Sequence, residues 1–120
     1  GHVRVEDHAV LGAYTGVHQH ARVGESVMAA SNAKLSQDAP PFAMVAGDRA
    51  RLVGVNHVGL KRRNFSTETR RSVKHAFHIV FHSRLRLDLA LARVRQEISG
   101  SPEVARLVSF LETSDRGFCR

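Results

Sequence analysis

The chain has 120 residues and a mass of 13.3 kDa, room for one modest domain or two small ones and not for a multidomain machine. Eighteen Lys and Arg against eleven Asp and Glu leave a formal charge of +7, which favours anionic partners such as phosphates, acidic proteins or membrane surfaces without choosing among them. A single cysteine, Cys119, excludes an internal disulfide and a CxxC pair, so a reducing compartment is expected and the cytoplasmic location is the first reading.

No apolar run approaches the ~18 residues of a membrane span, so no transmembrane segment is expected. The first residue is Gly1 rather than Met and falls inside a patterned segment. The expectation is therefore the C-terminal part of a longer protein.

Val5, Leu11, Val17, Val23, Ala29 and Leu35 recur every six residues, and Val3, Ala9, Thr15, Ala21, Val27 and Ala33 form a second register two positions earlier. Strand side chains have a period of two, so a six-residue phase describes short strands separated by turns, each sending two side chains inward. Three such strands close a triangular coil of about 18 residues, the parallel β-helix solution to hexapeptide repeats. Ordinary hairpins have no reason to hold this phase. Gly12, Gly16 and Gly24 are read as corners that need permissive backbone. Residues 1–38 make about two coils, fewer than a repeat stack generally needs, so the top of the stack is expected to be open. Asp38-Ala39-Pro40-Pro41 is expected to end the repeat, because consecutive prolines cannot donate to a ladder. Residues 39–65 are then a loop and edge connector that carries a basic turn, Lys61-Arg62-Arg63.

Residues 66–120 read as an α-helical domain. Val73, Ala76, Phe77 and Val80 fall at helical spacing with Ser66 as N-cap. Leu87, Leu91, Val94 and Ile98 repeat the pattern, and Gly100 is placed to stop it. Ser101-Pro102-Glu103 opens a third helix with a capping Ser and a Pro at the first helical position, followed by Val104, Leu107, Val108 and Leu111. The apolar stripes are read as core.

Gly1-His2-Val3, Val17-His18-Gln19, the Asp38–Pro41 closure, the segment Asn56-His57-Val58-Gly59-Leu60-Lys61-Arg62-Arg63-Asn64-Phe65-Ser66 and the ending Arg116–Arg120 together resemble the C-terminal half of the UDP-N-acetylglucosamine O-acyltransferases that begin lipid A biosynthesis. The resemblance implies a left-handed parallel β-helix with a C-terminal three-helix domain, assembled as a homotrimer with active sites between neighbouring coils. It implies transfer of an (R)-3-hydroxyacyl group from acyl carrier protein to the 3-hydroxyl of UDP-N-acetylglucosamine. No cofactor is implied beyond the phosphopantetheine that carries the acyl donor.

In that family a neutral histidine takes the proton from the sugar hydroxyl. The resemblance places that base upstream of Gly1, so the 120 residues alone are expected to give no useful acyltransfer. His2 matches a supporting active-site histidine, and Gly1 the glycine whose backbone N–H faces the developing oxyanion. His18 and Gln19 match a substrate-cleft pair. Asn56 matches a polar contact at the nucleotide end, and Arg62 and Arg63 the nucleotide-binding arginines, whose forks suit a diphosphate. Val58 stands where family members often carry an acidic residue. Ala13, His20 and Asp48 are further departures. Arg70, Arg71 and Lys74, followed by Arg84 and Arg86, form a basic patch suited to docking the acidic carrier protein.

No metal site is assigned. His18 and His20 alternate like a zinc pair, but the pattern supplies no third ligand. His75, His78 and His82 read as a polar helix flank. A zinc carbonic anhydrase on the same repeat is the alternative within enzymes, and a basic module that binds nucleic acid the alternative outside them. With 6% aromatic residues and no recognition motif, nucleic acid is not expected as a partner.

Overall fold

In a computed structural model describing residues 1–120, the first third of the chain winds into stacked three-sided coils. Strands β1 (Arg4–Val5), β2 (Val10–Leu11) and β3 (Gly16–Val17) form the first coil, and β4 (Arg22–Val23), β5 (Met28–Ala29) and β6 (Lys34–Leu35) the second. Each strand lies parallel to the one 18 residues on: Arg4 pairs with Arg22, Val10 with Met28 and Gly16 with Lys34. The six-residue phase thus does what period-two geometry requires, placing two side chains per strand inside. Ala21, Val23, Val27, Ala29, Ala33 and Leu35 are buried in the second coil. The same register in the first coil is open to solvent, with Val5 48% and Leu11 39% exposed.

The stack does not end at Asp38–Pro41. Val23 bridges to Ala39, Met28 pairs with Met44 in β7 (Ala43–Ala46), and Lys34 bridges to Asp48, all parallel. This third coil returns after 16 and then 14 residues instead of 18. Both prolines are buried, and the ladder passes Pro40 because the Ala39 N–H donates back to Arg22 at 2.9 Å, while alternation along the strand turns the next position away from the second coil. β8 (Arg51–Val55) then closes the second side as an antiparallel partner of β7. Residues 39–65, expected as loop and edge connector, therefore hold two strands and a short helix, α1 (His57–Arg62). Six residues are too few to reveal helical periodicity.

The corners correct another expectation. The left-handed backbone positions are His2, His8, Tyr14, His20, Ser26 and Asn32, all with φ between 55° and 66°, again six apart. Phe42 and Gly47 continue two of these columns in the third coil. Of the glycines expected at corners, Gly12 and Gly24 serve close approach instead: a Cβ on Gly12 would lie 2.5 Å from the Ser31 nitrogen, and one on Gly24 2.5 Å from the Pro41 nitrogen. Non-glycine residues in left-handed backbone cost about 1–2 kcal/mol each. Tyr14, 83% exposed, packs little, and its carbonyl contact with Lys34 Nζ survives substitution. Tyr14→Gly is therefore expected to raise stability by up to about 1 kcal/mol, read as a higher urea midpoint; a lower midpoint would show that the ring matters more than the backbone.

The tail forms α2 (Thr67–His82), α3 (Leu87–Glu97) and α4 (Pro102–Glu112). Ser66 Oγ accepts the Thr69 N–H at 3.0 Å, and Ser101 Oγ the Val104 N–H at 3.2 Å, as N-caps should. Gly100 adopts φ 77° beyond α3, which suits a residue without Cβ. Val73, Ala76, Phe77 and Val80 of α2, Leu91 and Val94 of α3, and Leu107, Val108 and Leu111 of α4 join the coil residues Val23, Leu35 and Val45 in one buried cluster. Coils and helices therefore share a core. No helix is long and apolar enough to cross a membrane.

Candidate functional site

The structure sorts the candidate residues into two sets on different corners of the coil. Gly1, His2, His18, Gln19 and His20 gather at the corner between the third and first sides. The His20 N–H donates to the Gly1 carbonyl at 3.2 Å, and the His2 and His20 rings stack with centroids 5.0 Å apart. The reason is the 18-residue coil, which sets equivalent corner residues one above the other. His18 Nδ1 lies 3.0 Å from the Gln19 carbonyl. His18 and His20 thus do not pair, and no three His, Cys, Asp or Glu side chains converge anywhere in the chain.

Asn56, Arg62 and Arg63 belong to the second set, at the corner between the first and second sides. Asn56 caps α1, its Oδ1 accepting from Gly59 N–H at 3.1 Å while its Nδ2 donates to the Ser26 carbonyl at 2.8 Å. Its amide is thus engaged within the chain. Arg62 is exposed in the last turn of α1, where a cation also suits the negative end of the helix dipole. Arg63 is half-buried: Nη1 donates to Glu25 Oε2 and to Ser26 Oγ, both at 2.9 Å, and the guanidinium covers the Phe65 ring.

Glu25 is the residue that sequence reasoning missed. Its carboxylate also receives a fork from Arg106 of α4, with Nε at 2.5 Å from Oε1. Opposite charges 81 residues apart leave no pattern to find. Burial works against ionisation of Glu25, but the hydrogen bonds and charges of Arg106 and Arg63 prevail and hold its carboxyl below the usual glutamate range. A depressed folded value means that the stabilisation is complete above the unfolded glutamate range and is lost as pH falls through the lower folded value.

A cleft of about 590 Å³ opens between the first side of the coil and α4, lined by Arg4, Arg22, Arg63, Arg106, Glu25 and Phe110 among others. Most of its cations are already satisfied. Arg22 Nη2 donates to the Phe110 carbonyl at 2.9 Å and the guanidinium lies 4.0 Å from the Phe110 ring, while Arg63 and Arg106 share Glu25.

On α2, Arg71 and Lys74 are exposed, whereas Arg70 is half-buried. Arg70 Nη2 donates to Thr67 Oγ1 at 3.2 Å, and its Nε is buried without a partner. Arg86 is neutralised by Asp88 at 2.7 Å, and His75 pairs with Glu97 of α3 at 3.1 Å. Cys119 is buried, and burial pushes its thiol up to about 11, so at neutral pH it is no nucleophile.

Comparison with known proteins identifies the family. Residues 38–119 match the family model described as UDP N-acetylglucosamine O-acyltransferase, domain 2. The chain is 43% identical over 118 residues, 98% of its length and 46% of the relative's, to an acyl-[acyl-carrier-protein]--UDP-N-acetylglucosamine O-acyltransferase of Myxococcus xanthus. The enzyme of the same name from Herminiimonas arsenicoxydans is 43% identical over 124 residues, covering all of this chain and 47% of that one. Among solved structures, a UDP-N-acetylglucosamine acyltransferase from Bacteroides fragilis superposes with a TM-score of 0.95 at 34% identity, over 98% of this chain and 46% of that one. The Arabidopsis enzyme gives 0.94 at 31% identity, over 100% and 45%. The chain spans about half the length of the relatives it matches. With the coil, the basic turn and the helical tail all within these matches, the chain belongs to the UDP-N-acetylglucosamine O-acyltransferase family.

Proposed function

We propose that this chain forms the nucleotide-binding and carrier-docking half of a cytoplasmic acyltransferase that moves an (R)-3-hydroxyacyl group from acyl carrier protein to the 3-hydroxyl of UDP-N-acetylglucosamine, the first step of lipid A biosynthesis. The coil is a left-handed β-helix, and the working unit is a homotrimer. The observation that carries this reading is the placement of the two candidate sets on different corners. One copy presents histidines at one corner and arginines at another, so a cleft shared by two copies unites them.

In that cleft Arg62 and Arg63 hold the diphosphate, a group that matches a guanidinium fork. His18 and Gln19 line the sugar, with Asn56 holding the turn that carries the arginines. His2 lies beside the acyl donor, and the Gly1 nitrogen faces the oxyanion that develops as the sugar oxygen attacks the thioester carbonyl. The acyl group arrives on phosphopantetheine, so the chemistry calls for no metal or separate cofactor. No residue of this chain is assigned the proton-abstracting role. Nothing in the arrangement favours a zinc anhydrase or a nucleic-acid module.

Calorimetric titration with UDP-N-acetylglucosamine tests the reading. Arg62→Ala is expected to weaken binding about tenfold or more, the worth of a charge-assisted hydrogen bond, and affinity is expected to fall with salt. Retained affinity in that variant would remove the arginine from the site. The exposed Arg71 and Lys74, with Arg70, steer the acidic carrier mainly through its on-rate. In an enzyme that also carries the upstream segment with the general base, neutralising the three is expected to raise the KM for acylated carrier at low salt, with the difference fading as salt rises; an unchanged KM would reject the docking face.

A further inference from the structure

We propose that the Glu25–Ser26 corner of the second coil is a clamp that positions the basic turn, with Arg106 as its brace, so that Glu25 is a positioning residue for sugar-nucleotide binding. The proposal rests on the nucleotide reading of Arg62 and Arg63 above.

A helix of six residues has almost no stability of its own, and α1 must be held from outside. Both of its ends are held by the same corner. At the N-terminal end Asn56 Nδ2 donates to the Ser26 carbonyl at 2.8 Å, and the Asn56 N–H to the Phe42 carbonyl at 2.7 Å. At the C-terminal end Arg63 Nη1 donates to Ser26 Oγ and to Glu25 Oε2, each at 2.9 Å. Arg106 then grips Glu25 from α4 through both oxygens, at 2.5 and 3.3 Å.

The geometry divides the work between the two arginines of the turn. Arg63 commits one nitrogen to the clamp, which leaves Nε and Nη2 without partners in the chain. Arg62, the preceding residue, remains exposed and free of ion pairs. Fixing Arg63 therefore fixes the direction from which Arg62 approaches a diphosphate, and a donor that is already oriented loses less freedom on binding. Without the Glu25 charge, Arg63 keeps the Ser26 hydroxyl and the Phe65 ring but loses its charged partner, and the C-terminal end of α1 is held less firmly.

The corner also supplies a clean second variant. Ser26 has φ 55°, so glycine suits its backbone while deleting the hydroxyl that Arg63 uses.

Titration of the protein with UDP-N-acetylglucosamine, in the unsubstituted form and as Glu25→Gln, Ser26→Gly and Arg106→Ala, tests the clamp. Glu25→Gln is expected to weaken binding about tenfold and each of the other two about threefold, in keeping with loss of charged hydrogen bonds that act through a neighbour. Because Glu25 acts through the turn, its effect is expected to shrink to under about threefold when Arg62 is already Ala, a coupling that general loosening of the fold would not produce. Hydrogen exchange at the Leu60 amide of α1 and at the Arg63 amide that caps it is expected to quicken in Glu25→Gln while that of α2 is unchanged. If Glu25→Gln fails to fold, Ser26→Gly decides. An unsubstituted protein that does not bind the sugar nucleotide overturns the nucleotide reading and the clamp's role with it. An unsubstituted protein that binds, with variants that bind equally well, overturns the positioning role alone.

Discussion

Asp38→Ala is expected to cost about 3–5 kcal/mol of stability, the range for removing one partner of a buried ion pair. Asp38 is 2% exposed and ties three parts of the molecule together. Its Oδ1 accepts the Arg22 N–H of the second coil at 2.8 Å, and its Oδ2 the Ser114 hydroxyl at 2.6 Å, with Arg22 Nε 3.7 Å away. Its backbone extends the junction: its N–H donates to the Gly117 carbonyl at 3.0 Å and its carbonyl accepts the Cys119 N–H at 2.8 Å. Alanine keeps the backbone bonds of residue 38 but leaves the Arg22 N–H without its acceptor and the Arg22 guanidinium without its carboxylate, the costly kind of deletion. Asp38→Asn retains an acceptor and is expected to lose less, about 1–3 kcal/mol. Urea unfolding of both variants measures the difference. A loss below 1 kcal/mol in the alanine variant would show that the carboxylate is not the joint between coil and tail.

Gly24→Ala is expected to cost about 3 kcal/mol or more, at the upper end of overpacking. A Cβ there would lie 2.5 Å from the Pro41 nitrogen and 2.8 Å from the Pro41 Cα. Both are backbone or ring atoms of the third coil, which cannot swing aside as a side-chain tip can. The third coil would have to retreat, and with it Phe42, whose carbonyl receives the Asn56 N–H. The substitution is therefore expected to disturb α1 as well as the stack. Gly16→Ala is the control. Its Cβ meets only the flexible Lys34 side chain, nearest at Cδ, 3.2 Å away, and the expected cost stays under about 1 kcal/mol. Equal losses for the two glycines would refute close coil approach as the reason Gly24 is small.

The coil and the three tail helices were legible because each is announced within a few residues. The six-residue phase from Val5 to Leu35 records the pleat and the corners together, and the stripes through Val73, Leu91 and Leu107 record the helical period. Ser66 and Ser101 marked their helix starts by the hydroxyls they later use. The third coil was hidden because its 16-residue return breaks the phase and because two prolines look like an end. Pro40 is compatible with the stack because the ladder bond at this rung is carried by the Ala39 N–H, a fact about register rather than about proline. The corner conformation carried a weaker signal: His2, His8, His20 and Asn32 are of types enriched in left-handed backbone, but Tyr14 and Ser26 interrupt the column.

The amino-acid sequence by itself determined that the leading hexad repeat coils in parallel, that three helices follow Ser66, and that a basic turn lies between them, since these follow from local periodicity and chain chemistry. Only the tertiary structure decided that the histidine set and the arginine set lie at different corners, that Asp38 joins the coil to the C-terminal residues, and that Glu25 reaches Arg106 across 81 residues of chain. Those contacts depend on how much each coil rises and where each helix docks, quantities set by the packing of one shared core and by no stretch of residues alone.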